Sequence, residues 1–340
     1  MAAEIRLAID VEGGDHGAVV MVPAALKAVR SDPRISARFF GDKSVIEPLL
    51  DHGDALNGRI EVQHCEGAIA MNERPVKALK TGRDSSMWAA LQNVADGDCD
   101  AAVSSGNTGA LMVLSRKLIG TLPGIDRPAL MSWLPSEGGH THLLDLGANV
   151  GARVEHLVQF AIMGSVTAEL VDDNPSPAVG LLNVGSEHSK GHEVLQAAAR
   201  ELEKLPLNYV GFVEGHDIYQ SGVDVAVCDG LVGNLVLKSG EGLARMLISA
   251  LHDEFSSSFS SRLRAALARP LLRRWLERFD PGAHNGAAML GLNKVVVKSH
   301  GDADVNASCN AILTAVLEAR RQVPGRIQEI VAEYAVGTEQ

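Results

Sequence analysis

Apolar positions along the chain follow two alternating rhythms. Short runs rich in β-branched residues predict strands at Ile5–Ile9, Ala37–Phe40, Ile60–Gln63, Ala101–Ser104, Leu143–Leu146, Val179–Val184, Tyr209–Val213, Val223–Cys228 and Val295–Lys298. Helical spacing predicts helices at about Val20–Val29, Ser86–Ala95, Ala110–Leu118 and Asn306–Arg321, with Asp84 and Ser85 placed to cap the second. Strands that alternate with helices imply a mostly parallel sheet covered on both faces. Asn174-Pro175-Ser176-Pro177 is the best candidate boundary, but it reads better as an ordinary loop. The chain is therefore expected to form a single domain over residues 1–340.

Composition narrows the picture. Aromatic residues are only 4% of the chain, so the core is built from Ala, Val, Leu and Ile. Met1-Ala2-Ala3-Glu4 shows neither the basic start nor the apolar run of a signal peptide, and no stretch reaches the roughly 18 apolar residues of a membrane span. Cys65, Cys99, Cys228 and Cys309 form no Cys-x-x-Cys pair and read as reduced thiols, which places the protein in the cytoplasm. A net charge of -11 argues against nucleic acid as a partner.

Six of the predicted strands end in glycine mixed with Asn, Asp or Ser: Asp10–Asp15, Ser104–Gly109, Asp145–Asn149, Asn183–Gly185, Asp229–Asn234 and Lys298–Gly301. Ligands of open α/β sheets gather beyond strand carboxyl ends, and a helix start offers free N–H groups to an anion. Ser105–Gly109 thus looks like a phosphate cradle, although such glycines also serve plain tight turns. The chain carries no Gly-x-x-x-x-Gly-Lys-Ser/Thr, Gly-x-Gly-x-x-Gly or Gly-x-Ser-x-Gly motif, which argues against a kinase, a Rossmann dehydrogenase and a serine acyltransferase. His188 and His192 have helical spacing for a metal but no evident third ligand, and a surface role is expected for them.

With these loops in hand the chain resembles the phosphate acyltransferases that open bacterial phospholipid synthesis. The matching stretches are Asp10–Asp15, Arg83–Met87, Ser105–Met112, Asp145–Asn149, Gln159–Ser165, Cys228–Gly230 with Gly233-Asn234, Asn285–Ala287 and Lys298–Gly301. The resemblance implies a three-layer α/β/α fold similar to isocitrate and isopropylmalate dehydrogenases, a homodimer, no organic cofactor and no required metal. It implies transfer of a fatty acyl group from acyl carrier protein to inorganic phosphate, with the acyl phosphate passing to a glycerol-3-phosphate acyltransferase. Two positions depart from the family pattern: Glu12 stands where Met is usual, and Gly151-Ala152 where Asp-Cys is usual.

For that reaction Lys190 is expected to meet the phosphate charge, with Asn107, Thr108 and the amides of Gly106 and Gly109 as its cradle. Asn234 and His300 would stabilise the oxyanion, or His300 would protonate the leaving thiolate. Arg83 and Ser85 are secondary phosphate candidates. His300 could instead be a turn histidine, and Lys190 a solvated charge. Three rival functions are a decarboxylating dehydrogenase, a phosphate acetyl- or butyryltransferase using acyl-coenzyme A, and a non-catalytic scaffold docking carrier protein at the membrane.

An amphipathic helical segment is expected at about 255–280. Its basic residues include Arg262, Arg273 and Arg274, and Leu272, Trp275, Leu276 and Phe279 share one helical face. This suits peripheral contact with anionic lipid or with acidic carrier protein, and a dimer-packing helix pair is the alternative.

Overall fold

A computed structural model of the protein describes residues 3–50, 56, 58–256, 258, 268, 282 and 285–337. In chain order the strands are β1 (Ile5–Asp10), β2 (Ile35–Gly41), β3 (Ile60–His64), β4 (Ala101–Ser104), β5 (Ala129–Ser136), β6 (Gly139–Leu144), β7 (Val179–Leu182), β8 (Tyr209–Val213), β9 (Val225–Val227), β10 (Ala287–Leu290) and β11 (Val295–Lys298). They form one 11-stranded sheet in the order β3-β2-β1-β4-β11-β10-β5-β6-β9-β7-β8. The helices are α1 (Ala18–Ser31), α2 (Lys43–Ile46), α3 (Pro75–Thr81), α4 (Ser86–Ala95), α5 (Thr108–Leu118), α6 (Val154–Val171), α7 (Glu193–Leu202), α8 (Gly230–Ser256), α9 (Val305–Arg320) and α10 (Val323–Gly337).

Strand alternation sorts the core. Leu7 and Ile9, Ala101 and Val103, and Val295 and Val297 face α1 and α9, while Ala8, Ala102 and Val296 face α4 and α5. In the other half Leu144, Val225 and Val227 pack against α6 and α7, while Leu143 and Ala226 face the layer that includes α8. Helices thus cover both faces, the three-layer α/β/α arrangement expected above.

The pairing also shows what the alternation could not. β3, β2, β1, β4 and β11 run in one direction, and β6, β9, β7 and β8 run in the opposite one. The reversal is made by β10, antiparallel to both β11 and β5, and by the antiparallel β5–β6 hairpin, after which β6 runs parallel to β9. The strand-end loops therefore do not share one edge of the sheet. Asp10–Asp15, Ser104–Gly109 and Lys298–Gly301 form one group, and the loops after β6, β7 and β9 leave from the opposite edge.

Helix α6 is long and apolar enough to span a membrane, but 61% of that window is buried inside the protein, which makes it a core helix. Phe160 on α6 is fully buried in the cluster shared with α7 and α10. Truncating it leaves a cavity as well as losing apolar burial, so Phe160→Ala should cost ~3–5 kcal/mol in urea unfolding. A loss below about 1 kcal/mol would mean that α6 is not packed as described.

Candidate active site

Asp10, at the end of β1, is 1% exposed and ties three elements together. Ser86 Oγ of α4 donates to its Oδ1 at 2.6 Å, and Ser104 Oγ of β4 donates to its Oδ2 at 2.6 Å. Ser104 Oγ in turn accepts the Gly106 N–H at 3.0 Å. Burial pushes the Asp10 pKa up, against the pull of these hydroxyls. The loops then meet backbone to backbone: a Cβ on Gly13 would lie 2.4 Å from Gly106 N, and one on Gly14, at φ +82°, would lie 2.9 Å from Gly301 O. Only glycine permits this approach.

Lys298 ends β11 at 8% exposure, with Nζ donating to the carbonyls of Ser105, at 3.1 Å, and Ser299. An ammonium has three N–H donors, so one remains for a ligand. Burial, opposed by Asp10, brings the Lys298 pKa down to about 8.

Next along the chain, His300 sits in a charged array. Lys238 Nζ of α8 lies 2.8 Å from His300 Nε2, and Asp302 Oδ1 lies 2.5 Å from Nδ1. An ammonium can only donate, so Nε2 is the acceptor and Nδ1–H donates to Asp302. Glu241 holds Lys238 at 3.0 Å, and Arg245 reaches both Glu241, at 3.6 Å, and Asp302, at 3.7 Å. The backbone N–H of His300 donates to Asn285 Oδ1 at 2.9 Å. The His300 ring is thus held by the Asp302 carboxylate on Nδ1, while Nε2 faces Lys238 and lies 3.7 Å from Glu241 Oε1.

Helix α8 delivers Lys238 from the second half of the sheet. Its start rests on a knot around Asp145, whose Oδ1 accepts the N–H groups of Leu130 and Ala148, at 2.9 and 3.1 Å. Asp145 Oδ2 accepts from Asn149 N, at 2.6 Å, and from Asn149 Nδ2, at 3.0 Å. A Cβ on Gly233 would sit 1.9 Å from Asp145 O. From this seat Asn234, Lys238, Glu241 and Arg245 fall on one helical face, spaced i, i+4, i+7 and i+11. Asn234 lies beside Gly147, one turn before Lys238. Lys238, one turn on from Asn234, is the residue of α8 that meets His300. The Asp145–Asn149 loop is a structural support whose carboxylate is fully engaged. Gly151, at φ +75°, and Ala152, whose N–H donates to Asp229 Oδ2 at 2.7 Å, continue that support. Glu12 Oε1 accepts the Asp42 N–H at 2.8 Å and pins the end of β2.

Other expected ligands have different tasks. Both Nδ2 hydrogens of Asn107 are spent on carbonyls of Ala70, Met71 and Glu73, and its Oδ1 caps α5 through Ala110 N. Its side chain therefore clamps a loop and is not free to cradle an anion. The Ser85 hydroxyl donates to Gly82 O and accepts Trp88 N, as the α4 cap. Arg83 is exposed and stacks 5.9 Å from the Trp88 ring. Thr108 is exposed at the first position of α5, where it and Gly109 carry first-turn amides that a helix leaves unpaired. Lys190 is exposed on the loop after β7, and its ammonium makes no hydrogen bond or ion pair among the described residues. His188 and His192 are exposed as well. Arg262, Leu272, Arg273, Arg274, Trp275 and Leu276 lie outside the described residues. Sequence reasoning missed Lys298 and Lys238; the signal for Lys298 was a lysine closing an otherwise apolar strand.

This architecture has known relatives. The family described as "Fatty acid synthesis protein" matches residues 5–326. "Phosphate acyltransferase" of Nitrosococcus oceani is 48% identical over 324 residues, covering 95% of each chain. That of Shewanella loihica is 49% identical over 328 residues, covering 96% of each. This chain belongs to the phosphate acyltransferase family. It is therefore an acyltransferase of fatty acid and phospholipid synthesis. Solved structures share the fold: a phosphotransacetylase from Streptococcus pyogenes has a TM-score of 0.64 at 15% identity, covering 94% of this chain and 95% of its own. A 4-hydroxythreonine-4-phosphate dehydrogenase from Klebsiella pneumoniae has a TM-score of 0.54 at 11% identity, covering 93% and 99%.

Two predictions follow from this geometry. Gly233→Ala should push α8 off Asp145 and cut kcat by at least about tenfold while far-UV circular dichroism keeps its native shape; unchanged kcat would show that the seat does not position the cleft. Lys298 has a folded pKa of about 8, below its ordinary 10.5, so the unfolded chain binds more protons between those values and stability should rise with pH across that window. Only the ammonium has a third N–H beyond those on the Ser105 and Ser299 carbonyls, so kcat/KM for phosphate should fall about tenfold per pH unit above 8. Lys298→Met should erase both dependences, and a wild-type profile in that variant would remove Lys298 from the site.

Proposed function

We propose that this chain moves a fatty acyl group from the thioester of acyl carrier protein to inorganic phosphate. The observation that carries this reading is the pairing of Lys238 with His300, next to Lys298 held on the Ser105 carbonyl just before the open start of α5. Phosphate would lie at the α5 N-terminus, on the amides of Thr108 and Gly109 and the Thr108 hydroxyl, with Lys298 and Lys238 offsetting its charge. This reading moves the main phosphate contact from Lys190 to Lys298.

On phosphate binding, Lys238 would turn to a phosphate oxygen and free His300 Nε2. A phosphate oxygen attacks the thioester carbonyl as His300 takes the phosphate proton. The C–S bond then breaks and His300 returns that proton to the sulfur, giving acyl phosphate and a free thiol. Asn234 and Lys238 would donate to the developing oxyanion. Asp302 holds the imidazole and stabilises its cationic form, and Gly106 and Asn107 shape the loop.

The same reading takes residues 1–340 as one phosphate acyltransferase domain, with the segment at 255–280 as the surface for carrier protein or anionic lipid. The protein would act in the cytoplasm as a homodimer, peripheral to the membrane. Its product is a reactive mixed anhydride, suited to a downstream glycerol-3-phosphate acyltransferase.

Trapping of acyl phosphate by hydroxylamine, with acyl carrier protein or coenzyme A as donor, tests the reaction. The carrier-protein thioester should be the better donor, and His300→Gln should lower turnover on the order of 10²–10³. No acyl phosphate from either donor would refute the proposal, and a clear preference for coenzyme A would refute its donor.

A further inference from the structure

On the face of the sheet away from α8, a cavity of about 340 Å³ opens over the seam where strand direction reverses. We propose that this cavity binds one divalent transition-metal cation, with zinc the best match, through His140, His142 and Asp172.

Strand alternation places His140 and His142 on one side of β6, while Thr141 turns to the other and donates to Val223 O at 3.0 Å. Asp172 arrives from the C-terminal cap of α6, where the helix dipole favours a cation. Its Oδ1 lies 3.0 Å from His140 Nε2 and its Oδ2 lies 2.7 Å from His142 Nε2. One ligand atom from each residue falls within 4.8 Å of the others. Ligand bonds of about 2.0–2.2 Å to zinc put neighbouring ligand atoms a little over 3 Å apart, so small side-chain shifts suffice. Two imidazoles and a carboxylate suit zinc and leave a fourth position for water. No other group of three described residues has this spacing.

Glu318 belongs to the same cavity but not to the ligand set. It lines the same cavity from α9, is 4% exposed, and has no hydrogen bond or ion pair among the described residues. Burial alone raises its carboxyl pKa to about 8. A buried carboxylate without a partner is costly, so Glu318 stays largely protonated at neutral pH and leaves the ion to the triad. The ion would tie β6 to the C-terminal end of α6, on the face opposite the acyl-transfer cleft, as a structural clamp.

The test uses untagged full-length protein, stripped with chelator and titrated with zinc against a chromophoric competitor. One zinc per chain is expected, with a rise in Tm. His142→Ala should weaken binding at least about 100-fold. His142 is nearly buried, so the half-exposed His140→Gln provides a second variant; it should retain the fold, lose binding and lose the zinc-dependent rise in Tm. Cobalt should give intense visible bands of a four-coordinate site. The inference is overturned if stripped wild type takes up no stoichiometric zinc, or if folded His140→Gln binds as wild type does; the cluster is then only a hydrogen-bonded His–Asp–His group. None of these readouts depends on acyl transfer.

Discussion

The whole cleft depends on how closely α8 rests on Asp145. Gly233 leaves no room for a side chain between the helix and the Asp145 carbonyl, and the Asp145 carboxylate is held by four donors from its own loop and the neighbouring strand. Backbone packed on backbone is stiff, because no side-chain rotamer can absorb a shift. That stiffness fixes the direction of α8, and Asn234 and Lys238 inherit their positions from it. A helix anchored on the second half of the sheet thus supplies the group that meets His300 on the first half.

The site's chemistry follows from which donors are spent and which are open. Ser85, Asn107 and Asp145 look like ligands by type, yet each is committed to holding a loop or a helix start. The open groups are the first amides of α5, one N–H of Lys298 and the Lys238–His300 pair. Phosphate is already a nucleophile, so such a cleft needs charge, alignment and a shuttle for one proton more than it needs a strong base.

The first half of the fold was readable from the chain. Ile5–Ile9, Ala101–Ser104 and Val295–Lys298 are short apolar runs fully inside the sheet, and the loops that follow them do meet. The direction of the second half was not readable, because alternation gives burial and says nothing of strand polarity. The reversing hairpin left a trace in Gly138-Gly139, but β5 is interrupted by Ser132 and Pro135, which hid the strand before it. Helix α8 was missed because Gly230, Gly233, Gly240 and Gly242 weaken its propensity, and tertiary packing overrides that. Without α8, nothing in the chain places Lys238 beside His300, and exposed Lys190 is the lysine that the glycine-rich loops put forward. A capping asparagine and an anion-binding one look alike in sequence, and Asn107 caps α5 here.

The central claim is that Lys238 and His300 act as one unit across the two halves of the sheet. A double-mutant cycle on the kcat for acyl phosphate formation, with Lys238→Met and His300→Gln alone and together, tests it most directly. Groups that act as a unit are strongly non-additive, so the double variant should be about as slow as His300→Gln alone. If the two losses multiply, Lys238 and His300 work independently and the account of the cleft is wrong.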